Sequence, residues 1–261
     1  MNNIFVTFTF DDGNISQYVY LYPILDSYGY RATFYIVASQ IGWHGKINAD
    51  KIQDLRKRGN EIGSHSYSHF PLTELPDRKL ELELKMSKEL LHASTFAYPF
   101  GYFNKKVIEH VKEYYVAARA YEFFPHESDI CILQKYTLRS IPLDNLLTLP
   151  PSEFESILDK MFNRQLVEKV ANRVENGYWV IFTMHGRPSF SFDRWLWHIR
   201  EKGLGRTLQL LPIVLRDFRK EKDAAQSLSR SLFNLEYLAS LVNAGSYIVK
   251  PLVDVVRFVY K

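Results

Sequence analysis

Two adjacent carboxylates, Asp11 and Asp12, follow an apolar run and precede Gly13. Like charges beside buried apolar residues repel and are costly to desolvate, which points to a use for them. A solvated turn with an aspartate capping the next helix would account for the pair as well. His65 and His69, in Ser64-His65-Ser66-Tyr67-Ser68-His69, have a spacing that lets two imidazoles reach one metal ion. One carboxylate added to them makes a set that leaves positions open for water and substrate, the catalytic rather than the structural arrangement. Phe96-Ala97-Tyr98-Pro99-Phe100-Gly101 contains a sharp turn whose backbone N–H groups suit a developing oxyanion. An ordinary Pro-Gly turn is the other reading. His185 ends the run Ile181-Phe182-Thr183-Met184 and precedes Gly186; taken alone, it is a common strand-terminal histidine.

These residues need elements to hold them. Short apolar runs predict strands at 4–9, 32–37, 61–64, 96–98, 115–118 and 179–184. Helical patterns lie between them, at 16–28, 49–58, 77–92, 104–113 and 152–175. Ser152 and Glu155 have capping-box spacing at the start of the last. Strand–helix alternation argues for an α/β fold with a parallel sheet, and its length suits a barrel. Chemistry in such folds sits at the C-terminal strand ends, where the polar motifs fall. His185 is expected on the same rim, from the far side of the sheet.

Taken together, the order TFDDG, SHSxxH, FxxPFG and FxxHG resembles the polysaccharide deacetylases, also called the NodB homology domain or carbohydrate esterase family 4. The resemblance covers roughly residues 4–215. It implies a distorted (β/α) barrel, seven-stranded, and metal-dependent removal of an N- or O-acetyl group from a sugar, an oligosaccharide or a lipid- or nucleotide-linked glycan. It makes Asp11 the general base and Asp12, His65 and His69 the ligands of a divalent metal, Zn2+ first, with Co2+, Ni2+ or Mn2+ as alternatives. It makes the backbone N–H of Phe100 an oxyanion donor and His185 the general acid. Tyr98, Pro99 and Phe182 are implied at the substrate, Phe182 against the acetyl methyl group. Acid and base are expected on opposite sides of the metal. Many members carry an arginine in the third motif that orients the base; here Arg119 is the substitute, with Arg139 as runner-up. The fourth motif is not recognisable, so the group that tunes His185 is chosen among Glu122, Asp144 and Asp193. A hydrolase of another small or cyclic amide, and a non-catalytic carbohydrate-binding protein on the same barrel, are the competing readings.

The chain has 261 residues, 46% hydrophobic and 24% charged, an ordinary globular balance. A formal charge of +4 is too small to argue for nucleic acid. Residues 200–261 hold 11 basic and 6 acidic residues, so the excess lies in the C-terminal part. The lone Cys131 has no partner for an internal disulfide. The chain is expected to divide into a catalytic barrel, 1–221, and a basic amphipathic helical tail, 222–261. In that tail Leu228, Leu232, Leu235, Leu238 and Val242 form a stripe. Packing on the barrel or on a second subunit is the expected use of the stripe, with contact at an anionic membrane surface as the alternative. The lack of a visible signal peptide leads to the expectation of a cytoplasmic protein, peripheral at the membrane face if the tail docks. The partner expected is an N-acetylated carbohydrate. Oligomeric state is left open.

Overall fold

A computed structural model describes residues 3–121, 135–161, 171–174, 177–186, 211–245 and 247–260, and the side chains of all of these except 211–225. The first half alternates strictly: β1 (Asn3–Phe10), α1 (Tyr22–Ser27), β2 (Thr33–Ile36), α2 (Ala49–Lys57), β3 (Glu61–Ser64), α3 (Asp77–Leu91), β4 (Thr95–Ala97), α4 (Lys105–Tyr114) and β5 (Ala117–Arg119). β6 (Ile141–Pro142), α5 (Pro151–Met161), β7 (Asn172–Val174), β8 (Gly177–Met184), α6 (Leu211–Ala244), β9 (Tyr247–Val249) and α7 (Leu252–Val259) follow. Asparagines start two of the helices. The Asn48 side chain accepts from Lys51 N–H on α2, and Asn104 accepts from Val107 N–H on α4.

The strands run β5-β4-β3-β2-β1-β8-β6 across one sheet, parallel along this path. The segment leading into β6 closes the ring. Ala118 N–H donates to Lys135 O (2.8 Å), Ala120 N–H to Leu138 O (2.7 Å) and Leu143 N–H to Thr183 O (2.8 Å). The result is the distorted seven-stranded barrel expected. β7 adds antiparallel to β8, and β9 adds parallel to the first half of β1, whose second half pairs with β2.

Side chains on a strand point alternately to its two faces. Val6, Phe8 and Phe10 of β1, with Phe34, Ile62, Phe96, Val180 and Phe182, join the helices in the larger apolar core. The other parity faces the bore. Phe5, Tyr35, Ala97, Ala117, Trp179 and Ile181 line it with Leu252, Val255 and Val256 of α7. Thr7, Thr9, Thr33, Glu61, Thr95, Arg119, Asp11 and His65 share that inward parity and are all buried.

The helix expected over 152–175 is shorter. α5 ends at Met161, residues 162–170 lie outside the described part, and Asn172–Val174 is a strand. The Asn172 side chain accepts from Arg139 N–H (2.9 Å) and donates to Arg139 O (2.9 Å) and Trp179 O (3.2 Å). Tertiary hydrogen bonds therefore hold this stretch in the sheet against its helical pattern. Pro151 opens α5, so Ser152 and Glu155 stand inside the helix.

α6 runs unbroken through the 221/222 boundary. Leu235, Leu238 and Val242 are buried in the larger core, and Asn234 donates to Leu147 O and Leu149 O at 2.8 and 3.0 Å. α7 covers the floor of the bore. Its first N–H groups, which no helix can satisfy itself, donate to distant side chains: Leu252 to Thr33 Oγ1 (2.8 Å) and Val253 to Glu61 Oε2 (2.9 Å). Among the described residues, no helix is long and apolar enough to cross a membrane.

Tyr35 and Gly63 are register partners on β2 and β3. A Cβ on Gly63 would lie 2.5 Å from two carbons of the Tyr35 ring. Gly63→Ala is therefore expected to cost about 1–3 kcal/mol through overpacking. That lowers the melting temperature by about 2–4 °C per kcal/mol; an unchanged Tm in calorimetry would show that the ring has room to move.

Candidate metal centre

Asp12, His65 and His69 meet at the C-terminal ends of β1 and β3, with one potential ligand atom from each within 4.8 Å of the others. Asp12 Oδ1 stands 3.6 Å from His65 Nε2 and 3.4 Å from His69 Nε2. The His65 Nδ1 lies 2.8 Å from Ala97 O, an acceptor, so Nδ1 carries the proton and Nε2 offers its lone pair to the cluster. Burial pushes the His65 imidazole down to about 4, and burial also lowers His69. Both are thus neutral at pH 7, as ligands must be. The loop between them is held from below by Glu83 of α3, which accepts from Tyr67 N–H (3.0 Å), Ser68 N–H (2.8 Å) and Ser68 Oγ (2.6 Å).

The backbone is bent to make this meeting. Asp12 (φ 71°), Ser66 (φ 62°), His69 (φ 61°) and Phe100 (φ 59°) all occupy the left-handed region. Side-chain-bearing residues adopt it at a cost of order 1–3 kcal/mol, and such strain clusters at functional sites. Lys46 Nζ supports the Asp12 bend by donating to Asp12 O (2.9 Å).

Asp11 turns the other way, into the bore, with 2% of its surface exposed. The Arg119 NH2 group pairs with Asp11 Oδ2. Arg119 is itself buried, and its NH1 donates to Ser140 Oγ (3.0 Å) and Ala120 O (3.3 Å). Burial alone would raise the Asp11 carboxyl. The charges of Arg119 and His185, with the Arg119 hydrogen bond, outweigh it and hold the carboxyl below the usual range. Its second oxygen, Oδ1, has no hydrogen-bond partner among the described residues.

His185 ends β8, the strand beside β1, rather than a far one. Its Nε2 lies 3.8 Å from Asp11 Oδ2. Ring closure places the last barrel strand next to the first, so the acid and base candidates are neighbours. Asp144 holds His185 twice: Oδ1 accepts the His185 backbone N–H (2.9 Å) and Oδ2 pairs with Nδ1 (2.8 Å). Burial would lower the His185 pKa, but the Asp144 hydrogen bond and the charges of Asp11, Asp144 and Asp12 overcome it and raise it to about 9. Gln17 and Asn14 pin the backbone, donating to His185 O at 2.6 and 2.8 Å.

The structure thus brings Asp11, Asp12, His65, His69, Arg119 and His185 together and sets Asp144, one of the three candidates, on His185. Glu122 and Asp193 lie outside the described residues. Arg139 is half-buried, its backbone bonded to the Asn172 side chain. Phe100 stands at the rim, 52% exposed, its ring 4.6 Å from that of His69. Tyr98 and Phe182, expected at the substrate, have the outward parity. Phe182 stacks on Phe8 (5.7 Å), and the Tyr98 hydroxyl donates to Tyr136 O (2.9 Å). Both are buried between sheet and helices, and Pro99 is buried too. Sequence reasoning missed Ser140, Gln17 and Glu83. A serine, a glutamine and one glutamate on a charged helix face carry no spacing signal.

Residues 1–118 match the polysaccharide deacetylase family model. This matched part contains the whole Asp12–His65–His69 cluster. Similar curated proteins include YxkH of Bacillus subtilis, 30% identical over 110 residues (40% of this chain, 39% of that one). The chitin deacetylase of Arthroderma benhamiae is 36% identical over 89 residues (33% and 23%), and the peptidoglycan-N-acetylglucosamine deacetylase of Bacillus cereus is 30% identical over 118 residues (43% and 54%). The match spans less than two thirds of each of these relatives. Over nearly the full chain, the fold is that of the Xyl-CE4 domain of a multidomain xylanase from the hindgut metagenome of Trinervitermes trinervoides. The TM-score is 0.53, with 15% identity, covering 99% of this chain and 91% of that one.

His185 supplies a pH test. Its folded pKa of about 9 exceeds the ordinary 6.5. Its contribution to stability is therefore complete below pH 6.5 and lost as the pH rises through 9. Asp144→Asn removes the charge and is expected to lower the imidazole pKa measured by NMR; an unmoved titration would mean that Asp144 does not set it.

Proposed function

We propose that the protein is a metal-dependent deacetylase that hydrolyses the N-acetyl group of a sugar unit in a glycan, with O-acetyl groups as easier substrates of the same site. The observation that carries the reading is the Asp12–His65–His69 cluster flanked by two oppositely tuned groups, an ionised Asp11 and a protonated His185. The match to the polysaccharide deacetylase family, and the printed activities of the chitin and peptidoglycan-N-acetylglucosamine relatives, support it.

Two imidazoles and one carboxylate, with the His65 tautomer set by a carbonyl, suit a divalent cation, and Zn2+ is the metal we favour. When bound, it supplies a Lewis acid for the carbonyl oxygen and makes an attacking water more acidic. Asp11 receives the proton of that water at Oδ1, while Arg119 keeps Oδ2 in place. The backbone N–H of Phe100, in the bent turn beside His69, donates to the developing oxyanion. His185 carries a proton at neutral pH and delivers it to the departing nitrogen, because an amide anion is too basic to leave unprotonated. The Asp144 carboxylate stabilises the charged imidazole until then.

Acetate release from soluble, lipid-linked and polymeric N-acetylglucosamine donors tests the reading. Wild type is expected to release acetate from at least one, and Asp11→Asn to lose about 10²–10⁴-fold in kcat, the span of general base catalysis. No acetate from any donor in the metal-loaded protein would overturn it. Elemental analysis is expected to find about one divalent ion per wild-type chain, with a large loss in His65→Ala, since each removed ligand weakens a three-ligand site. Equal metal content in both would place the ion elsewhere.

A further inference from the structure

We propose that Tyr35 is a positioning residue for this chemistry: its ring is the platform against which Arg119 lies, and through Arg119 it aims the Asp11 carboxylate. The proposal rests on the deacetylase reading and assigns a role to a residue far below the rim. Tyr35 is fully buried in the bore, and the Arg119 guanidinium carbon sits 5.1 Å from its ring centroid. That is cation–π distance, and both groups are buried away from bulk solvent. Arg119 needs such a support. Its NH2 meets Asp11, its NH1 meets Ser140 and Ala120, and its Nε has no hydrogen-bond partner among the described residues. These bonds hold one end of the guanidinium, and the ring holds its face.

The surroundings keep the ring in place. Gly63 across the strand pair leaves room for it, since a Cβ there would fall 2.5 Å from the ring. Below, Thr33 Oγ1 donates to Glu61 Oε2 (2.8 Å), Thr95 Oγ1 donates to Glu61 Oε1, and the α7 N–H of Val253 completes the set. This bonded floor prevents the ring from sinking towards α7. Burial raises the phenol, so the ring stays neutral and presents its electron-rich face to the cation. The part that acts is the ring, not the hydroxyl.

The test compares wild type, Tyr35→Phe and Tyr35→Leu, each loaded with zinc and analysed for metal content. Phe keeps the platform and is expected to retain wild-type kcat. Leu is expected to lower kcat about tenfold or more with KM and metal content unchanged, because aim rather than binding is lost. A Tyr35→Leu protein that melts lower yet turns over at the wild-type rate would reduce Tyr35 to packing. So would a Tyr35→Phe protein as slow as the Leu variant. An activity-independent measurement accompanies it: NMR of arginine-labelled protein, where the ring current is expected to shift the Arg119 guanidinium protons in wild type and Phe but not in Leu. Identical Arg119 signals in all three overturn the proposal even if no acetylated donor is cleaved. Absence of acetate from wild type, with the Arg119 signals behaving as expected, would instead overturn the deacetylase reading alone.

Discussion

A buried carboxylate must have a counter-charge, and the Asp11–Arg119 pair is the interaction on which the site depends. Two strands on different parts of the ring, β1 and β5, deliver the two charges into the bore. Removing either partner would strand the other in a low-dielectric interior, a larger penalty than the net worth of the pair. The pair also explains the ring closure. The 135–144 segment joins β5 to β8 and in doing so supplies Ser140 to Arg119 and Asp144 to His185.

The two faces of the sheet divide the work. The outward parity of the strands is aromatic and aliphatic, and packs under the helices as Phe8 on Phe182 and Phe10 on Phe34 (4.7 Å). The inward parity sets Phe5, Trp179 and Ile181 against α7 and otherwise carries threonines, Glu61, Tyr35 and Arg119, up to Asp11. The abundance of phenylalanine in the chain is therefore chiefly a matter of the outer layer. The C-terminal segment belongs to the same design: α7 closes the floor with apolar side chains and gives its free N–H groups to Thr33 and Glu61.

Two ionisable groups 3.8 Å apart have been driven in opposite directions. Arg119 favours the ionised Asp11, and Asp144 favours the protonated His185. Pairs of groups whose environments push them apart in this way divide naturally into acid and base. The metal-ligand histidines experience the reverse. Burial dominates there and keeps their lone pairs available.

Much of this was legible in residue order. Strand–helix rhythm foretold a parallel barrel, and the motif order placed Asp11, Asp12, His65, His69 and His185 on one rim, because period-2 alternation and strand-end polarity are local properties of a chain. Arg119 was visible as a guanidinium at the next strand end. The same alternation, applied to Phe182 and Tyr98, would have set them on the helix-facing side. What local pattern could not reveal was partnership across the ring. Asp144 on His185, Asn172 in a strand rather than a helix, and His185 on the strand beside Asp11 all follow from closure of the barrel. Sequence by itself determined which residues are chemically able and which end of the barrel they occupy. Only the tertiary structure decided which charge faces which, because Coulomb and hydrogen-bond energies depend on distances between segments that are far apart along the chain.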